Sequence, residues 1–148
     1  MATGAGDESP VVLVSACLVG VACTHRGEAK THQAVEALRR THRLVPVCPE
    51  VAGGLPTPRP AAERGTDGRV RTAEGEDVTE FYRRGADHAV AVARAVGAER
   101  AVLKARSPSC GCHQIYDGTH RKVLVAGAGV TAEALRAAGV EVVSEEDL

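Results

Sequence analysis

Val11-Val12-Leu13-Val14-Ser15-Ala16-Cys17-Leu18 is a near-continuous apolar run, closed by Gly20. A run this short, apolar and β-branched has the pattern of a strand buried on both faces, as in a parallel sheet. Leu44-Val45-Pro46-Val47-Cys48 and Ala101-Val102-Leu103-Lys104 repeat the pattern, and Val123–Val125 and Val140–Val143 add two shorter runs. Helical signals fall between them. Thr31 is placed to cap a helix through about His42, with Val35 and Leu38 inward. Asp77-Val78-Thr79-Glu80 fits a capping box that opens a helix to about Val96, with Phe81, Ala89, Val92 and Val96 on its inward face and Gly97 as its stop. Thr131 is placed to cap a last helix through Ala138, ended by Gly139. Strands alternating with helices predict an α/β fold. The expectation is one Rossmann-like domain with a mostly parallel sheet, helices on both faces and right-handed crossovers. Two segments stand outside that alternation. Pro49, Pro56, Pro58 and Pro60, following Pro46, predict a stiff loop over Pro49–Glu63 with no regular helix or central strand. The turn Thr66-Asp67-Gly68-Arg69 before Val70-Arg71-Thr72 predicts a small β excursion.

The chain has 148 residues, 25% charged and 44% apolar, with a net charge of -1. That length suits one domain over residues 11–148 after a disordered lead-in at residues 1–10, which has no basic-then-apolar targeting pattern. With no basic excess, and with Phe81, Tyr82 and Tyr116 as the only aromatic residues, the chain lacks the charge stripe and stacking platform of a protein that binds long nucleic acid. No apolar run approaches the roughly 20 residues of a membrane span. Five cysteines is an odd number and no secretory segment precedes them, so reduced thiols in a cytoplasmic setting are expected.

Cys17, Cys48 and Cys110 each follow a strand-like run and precede a turn rich in Gly, Pro or Ser. One such cysteine is ordinary core. Three of them, at the carboxyl ends of neighbouring parallel strands, lie where open α/β sheets place their ligands. Three thiols there can hold a metal centre. Zinc would recruit a fourth ligand, for which Cys23, Cys112, His25 and His113 are available. An iron–sulfur cubane on three cysteines would keep one iron free of protein, suited to a soft sulfur substrate. Glu50, two residues past Cys48, is a candidate general base or acid, and Ser107, three before Cys110, a candidate hydrogen-bond donor. Arg59, between Pro58 and Pro60, is a candidate contact for an anion or carbonyl. Ser15 and Ser109 are further candidates for substrate contact, by their places beside Cys17 and Cys110.

Several separated motifs, in order, resemble one family. They are Ser15-Ala16-Cys17-Leu18-Val19-Gly20, Val47-Cys48-Pro49-Glu50-Val51, Gly53-Gly54-Leu55-Pro56-Thr57-Pro58-Arg59, Gly75-Glu76-Asp77-Val78-Thr79 and Lys104-Ala105-Arg106-Ser107-Pro108-Ser109-Cys110-Gly111. Tyr116-Asp117-Gly118 and Gly129-Val130-Thr131-Ala132 extend the likeness. From Val11 onward the chain resembles the thiouracil desulfidases, small bacterial iron–sulfur proteins. The resemblance implies a [4Fe-4S] cluster on Cys17, Cys48 and Cys110, with catalytic roles for Glu50 and Ser107. The implied reaction removes sulfur from a thiolated uracil base, nucleoside or nucleotide, giving the oxo form and sulfide with no net redox change. A sulfur acceptor would follow as a partner. Two alternatives keep the thiols and drop the catalysis: a sulfide or metal carrier, and a structural zinc domain. One departure bears on substrate choice. Thr24-His25-Arg26-Gly27 stands where many relatives carry Arg-Tyr-Asp-Gly, so an acidic loop position is basic here.

Overall fold

The computed structural model describes residues 9–148, so nearly all of the expected lead-in lies outside the described residues. Four strands form one parallel sheet: β1 (Val11–Ser15), β2 (Arg43–Val47), β5 (Arg100–Leu103) and β8 (Glu141–Ser144). Their spatial order is β2-β1-β5-β8, in register from Val11 opposite Arg43 to Leu103 opposite Ser144. Alternate side chains of the sheet face two apolar layers. Leu13, Ala101 and Leu103 pack against α3 (Thr79–Val96) and α4 (Val130–Ala137). Val12, Val14 and Val102 pack on the other face with Val35 of α1 (Gln33–Ala37). The α/β class and the helices on both faces are therefore as the sequence implies.

Local chemistry moves several boundaries. The first apolar run stops being a strand at Ser15 and tightens into a 3-10 turn over Ala16–Val19, ended by Gly20 at φ 96°. Cys17 thus sits on a turn rather than on a strand end. Lys30 and His32 donate backbone N–H groups to Cys17 and Leu18 O, holding the chain extended until His32, so Thr31 caps nothing. α1 itself is short and continues as a 3-10 turn over Leu38–Arg40. Pro49 opens a helical turn, α2 (Pro49–Ala52), where the text of the sequence suggested only loop. Proline at the first helical position loses nothing, because that N–H has no partner inside a helix. Asp77 accepts the Thr79 N–H at 3.0 Å, but Glu80 pairs with Arg83 at 2.9 Å instead of reaching back, so the expected capping box is absent. A real one closes the C-terminal 3-10 turn Glu145–Asp147, through Ser144 and Asp147. Gly129, not Thr131, precedes α4, and Thr131 is buried with its hydroxyl on Ser109. The final strand begins one residue later than the apolar run. β7 (Leu124–Ala126) does not join the sheet but pairs antiparallel with β6 (Gln114–Tyr116), which hydrophobic periodicity did not reveal. The β excursion is the hairpin of β3 (Ala62–Arg64) and β4 (Val70–Thr72).

The buried stripe of α3 is Tyr82, Gly85, Ala86, Ala89 and Ala93, rotated from the Phe81–Val92 face that side-chain size suggested. Small residues win because α2 presses backbone to backbone on α3. A Cβ at Gly85 would stand 1.9 Å from Pro49 O, and one at Gly53 would stand 1.9 Å from Phe81 O. Gly85→Ala is therefore expected to push α2 outward and destabilise the fold by about 2 kcal/mol, as overpacked sites do. Urea unfolding measures it; an unchanged midpoint would contradict this packing.

Candidate active site

Strand order reverses at β1, whose neighbours β2 and β5 lie on opposite sides. Chain leaving the carboxyl ends of β1 and β5 diverges there and opens a crevice. A cavity of about 640 Å³ occupies that edge. Cys17 reaches it from the turn after β1, Cys48 from the end of β2, and Cys110 from the loop after β5. Glu50, Ser107, Ser15 and Arg59 line it as well. Ser109 does not: it is fully buried, and its hydroxyl is 2.8 Å from that of Thr131, pinning the Cys110 loop to α4. Sequence reasoning put it at the substrate; the structure puts it behind the wall.

Glu50 sits at the second position of α2, with Oε1 accepting from Arg59 Nε at 2.8 Å. The pair is nearly withdrawn from solvent, the two side chains being 4% and 14% exposed, so neither charge would stand alone there. Arg59 spends three further donors on the protein: on Pro56 O at 3.1 Å, Thr57 Oγ1 at 3.0 Å and Cys23 O at 2.8 Å. Its guanidinium thus has little left for a ligand, contrary to the anion contact expected from the sequence. It acts as a brace for Glu50 and for the loop that carries Cys23. Tyr82 lines the cavity beside Glu50, where burial first, and then that carboxylate, raise its phenol pKa far above the usual range.

Ser107 Oγ accepts two backbone N–H groups, from Ser109 at 3.1 Å and Cys110 at 3.0 Å. Those bonds fix the loop and leave the hydroxyl hydrogen free to donate into the cavity. Ser15 Oγ accepts the Lys104 N–H at 2.9 Å and lies beside the Cys110 thiol, whose ionisation it eases. Lys104 Nζ, also at the cavity wall, is 3.3 Å from buried Glu145, which in turn accepts the Ala105 N–H at 2.8 Å.

A fourth thiol lines the cavity. Cys23 lies beside Cys17 and Cys48, and its carbonyl accepts from Cys48 Sγ at 3.7 Å. No strand-end pattern marked it; the loop after Gly20 folds back through the Arg59 bond to bring it in. Tyr82 and Lys104 were missed for the same reason, since each looks like ordinary helix or strand until the cavity is drawn around it. Cys112 and His113 are not at this cavity, and His25 is exposed at its mouth.

All five cysteines are free. Burial, eased by the Ser15 hydrogen bond, pushes the Cys110 thiol up to about 12. The bond to Cys23, then burial, carries the Cys48 thiol well above its usual range. Such thiols ionise only where a cationic centre takes the proton's place, which is the chemistry of a metal-holding set. A single zinc ion fits poorly. Bonds of about 2.3 Å draw thiolates on one zinc to within about 4 Å of each other. Among the described residues, the one trio of such ligand atoms within 4.8 Å of one another is Cys112, His113 and Asp147, away from the cavity. The spread of Cys17, Cys48 and Cys110 around a roomy cavity suits a multi-iron cluster, whose thiolates sit on separate corners.

A family model described as 2-thiouracil desulfurase matches residues 12–147. The chain belongs to this family. YbbK of Bacillus subtilis (strain 168), an uncharacterized protein, is 40% identical over 147 residues, covering 93% of this chain and 97% of YbbK. A solved structure of the [4Fe-4S]-dependent thiouracil desulfidase TudS superposes with a TM-score of 0.88 at 44% identity, covering 94% of this chain and 93% of that one. An enzyme family and an α/β fold shared with TudS thus agree with the thiol-lined cavity.

The raised thiols make a prediction for protein freed of metal. Alkylation of Cys110 by iodoacetamide should still be accelerating between about pH 9 and 11, where a free cysteine of pKa about 8.5 has levelled off. Peptide mass spectrometry reads the rate, and a plateau by pH 9 would contradict the environment described.

Proposed function

We propose that this protein is a [4Fe-4S]-dependent desulfidase that converts a thiolated uracil ring to its oxo form and sulfide, without net redox change. The observation that carries the reading is the convergence of Cys17, Cys48 and Cys110 with Glu50 and Ser107 around one cavity. Cys17, Cys48 and Cys110 would hold the cluster, which when bound supplies a soft Lewis-acidic iron for the thiocarbonyl sulfur. Glu50, oriented by Arg59, would take a proton from the water that attacks the ring carbon. The C–S bond gives way to C–O, and the sulfur leaves as hydrogen sulfide or passes to an acceptor. Ser107, with its hydroxyl hydrogen unspent, would donate to a ring oxygen or nitrogen and hold the base in line. Arg59, Tyr82 and Ser15 position these groups. Five free thiols, and no helix among the described residues long and apolar enough to cross a membrane, agree with work in a reducing compartment such as the cytoplasm.

The rim of the cavity bears on the substrate. Its carboxylates are answered: Glu28 lies 3.6 Å from Lys30, Glu50 is held by Arg59, and Glu63 accepts the N–H groups of Gly118 and His120. Arg26 and Lys122, exposed on the same rim, have no such partner among the described residues. Two unanswered cations favour an anionic ligand, so a thiolated nucleotide fits better than the free base.

Glu50→Gln is expected to keep the cluster absorption and lose at least about 100-fold in kcat on a thiouracil substrate, with Ser107→Ala losing less. Full turnover by Glu50→Gln after anaerobic reconstitution would remove the assigned base. Replacing both Arg26 and Lys122 by Ala should raise KM for thiouridine monophosphate by about tenfold or more, leaving that for free thiouracil unchanged. Equal effects on both substrates would refute the rim's role.

A further inference from the structure

Cys112, His113 and Asp147 bring a thiol, an imidazole and a carboxylate together on the side of the Cys110 loop away from the cavity. Their ligand atoms all lie within 4.8 Å of one another. The fold makes this meeting from two directions. Cys112 and His113 leave the Cys110 turn just after Gly111, whose N–H is held by Ser107 O at 2.8 Å. Asp147 comes from the 3-10 turn after β8, fixed by the capping box with Ser144. Its Oδ2 accepts the Ser144 N–H at 2.8 Å and stands 2.7 Å from His113 Nε2, while Oδ1 has no partner among the described residues. Cys112 is buried beside the pair. The site is outside the thiol-lined cavity and uses none of the residues assigned to catalysis.

We propose that Cys112, His113 and Asp147 form a second metal site, taking one zinc ion and leaving its fourth position to water. A soft thiolate, an imidazole and a carboxylate within reach of one point are zinc's ordinary ligands, and three protein ligands leave a tetrahedral ion one open place. The thiol proton is released to solvent on binding. The imidazole, now bonded through Nε2–H, adopts the tautomer that carries its proton on Nδ1, so Nε2 becomes a ligand. No electron moves.

The consequence falls on the catalytic cavity. The turn carrying Asp147 also carries Glu145, which holds Lys104 and the Ala105 N–H, and Glu146, which pairs with Arg106 at 2.8 Å. Residues 104–106 lead directly into Ser107 and Cys110. An ion joining Asp147 to Cys112 and His113 therefore ties both ends of the Cys110 loop to one turn, clamping a cluster ligand from behind.

The test titrates zinc chloride into the reconstituted holoprotein, with equilibrium dialysis and metal analysis as the readout. Wild type is expected to retain one zinc beyond its iron, and to melt several degrees higher with it. Asp147→Asn and His113→Ala should each bind at least tenfold more weakly, with the iron count and cluster absorption unchanged. Both residues are exposed enough to be replaced without unfolding the core, which covers the case in which Cys112→Ser fails to fold. These two variants leave every cavity thiol intact. Zinc taken up there cancels in the difference from wild type, whether or not the cluster is loaded. No retained zinc, or zinc retained equally by wild type and both variants, would overturn the site.

Discussion

Everything at the site depends on the reversal of strand order at β1. With β2 on one side and β5 on the other, the segments that leave the sheet's carboxyl edge cannot pack over one another. The crevice between them is a consequence of connectivity, and side chains only furnish it. Cys17, Cys48 and Cys110 come from three different strand exits, so their convergence is as firm as the sheet itself. Local loops could not hold three thiols apart yet facing one another with the same rigidity.

Charge is managed around that crevice by bracing rather than by exposure. Arg59 joins Glu50, the proposed base, to the carbonyl of Cys23 and to its own proline-stiffened loop. Loss of either partner would strand a nearly buried charge, which links the orientation of Glu50 to the folding of the loop. Behind Lys104, which also lines the cavity, Glu145 plays the same part. The close contact of α2 with α3 adds a steric constraint. Glu50 is positioned by a helical turn pressed so tightly on its neighbour that only glycine is admitted at two contact points.

Three thiols around one cavity, with those of Cys48 and Cys110 pushed above their usual range, are a liability without a cation and an asset with one. The same burial that resists ionisation shields a loaded centre from water and from competing ligands. Cys23, in contact with two of the three, belongs to this electrostatic unit, although its place in the sequence looks unremarkable.

The sequence alone determined the class of fold, because runs such as Val11–Ser15 and Ala101–Leu103 are too apolar and too short for anything but strands buried on both faces. It also marked Cys17, Cys48, Cys110, Glu50 and Ser107, since turn-forming Gly, Pro and Ser beside a chemically active residue can be read locally, and the motifs around them resemble one family. Helix starts were less legible: Thr31, Glu80 and Thr131 have capping chemistry, but none caps its helix once the chain is packed, Glu80 pairing with Arg83 and Thr131 with Ser109. Only the tertiary structure decided that Arg59 braces Glu50, that Ser109 lies behind the wall, that Cys23 and Tyr82 line the cavity, and that Cys112 meets Asp147. Those outcomes depend on contacts between residues 9 to 36 positions apart and more. A one-dimensional pattern encodes the period of a strand or helix, whereas which distant side chains share a site is set by how the sheet orders its strands.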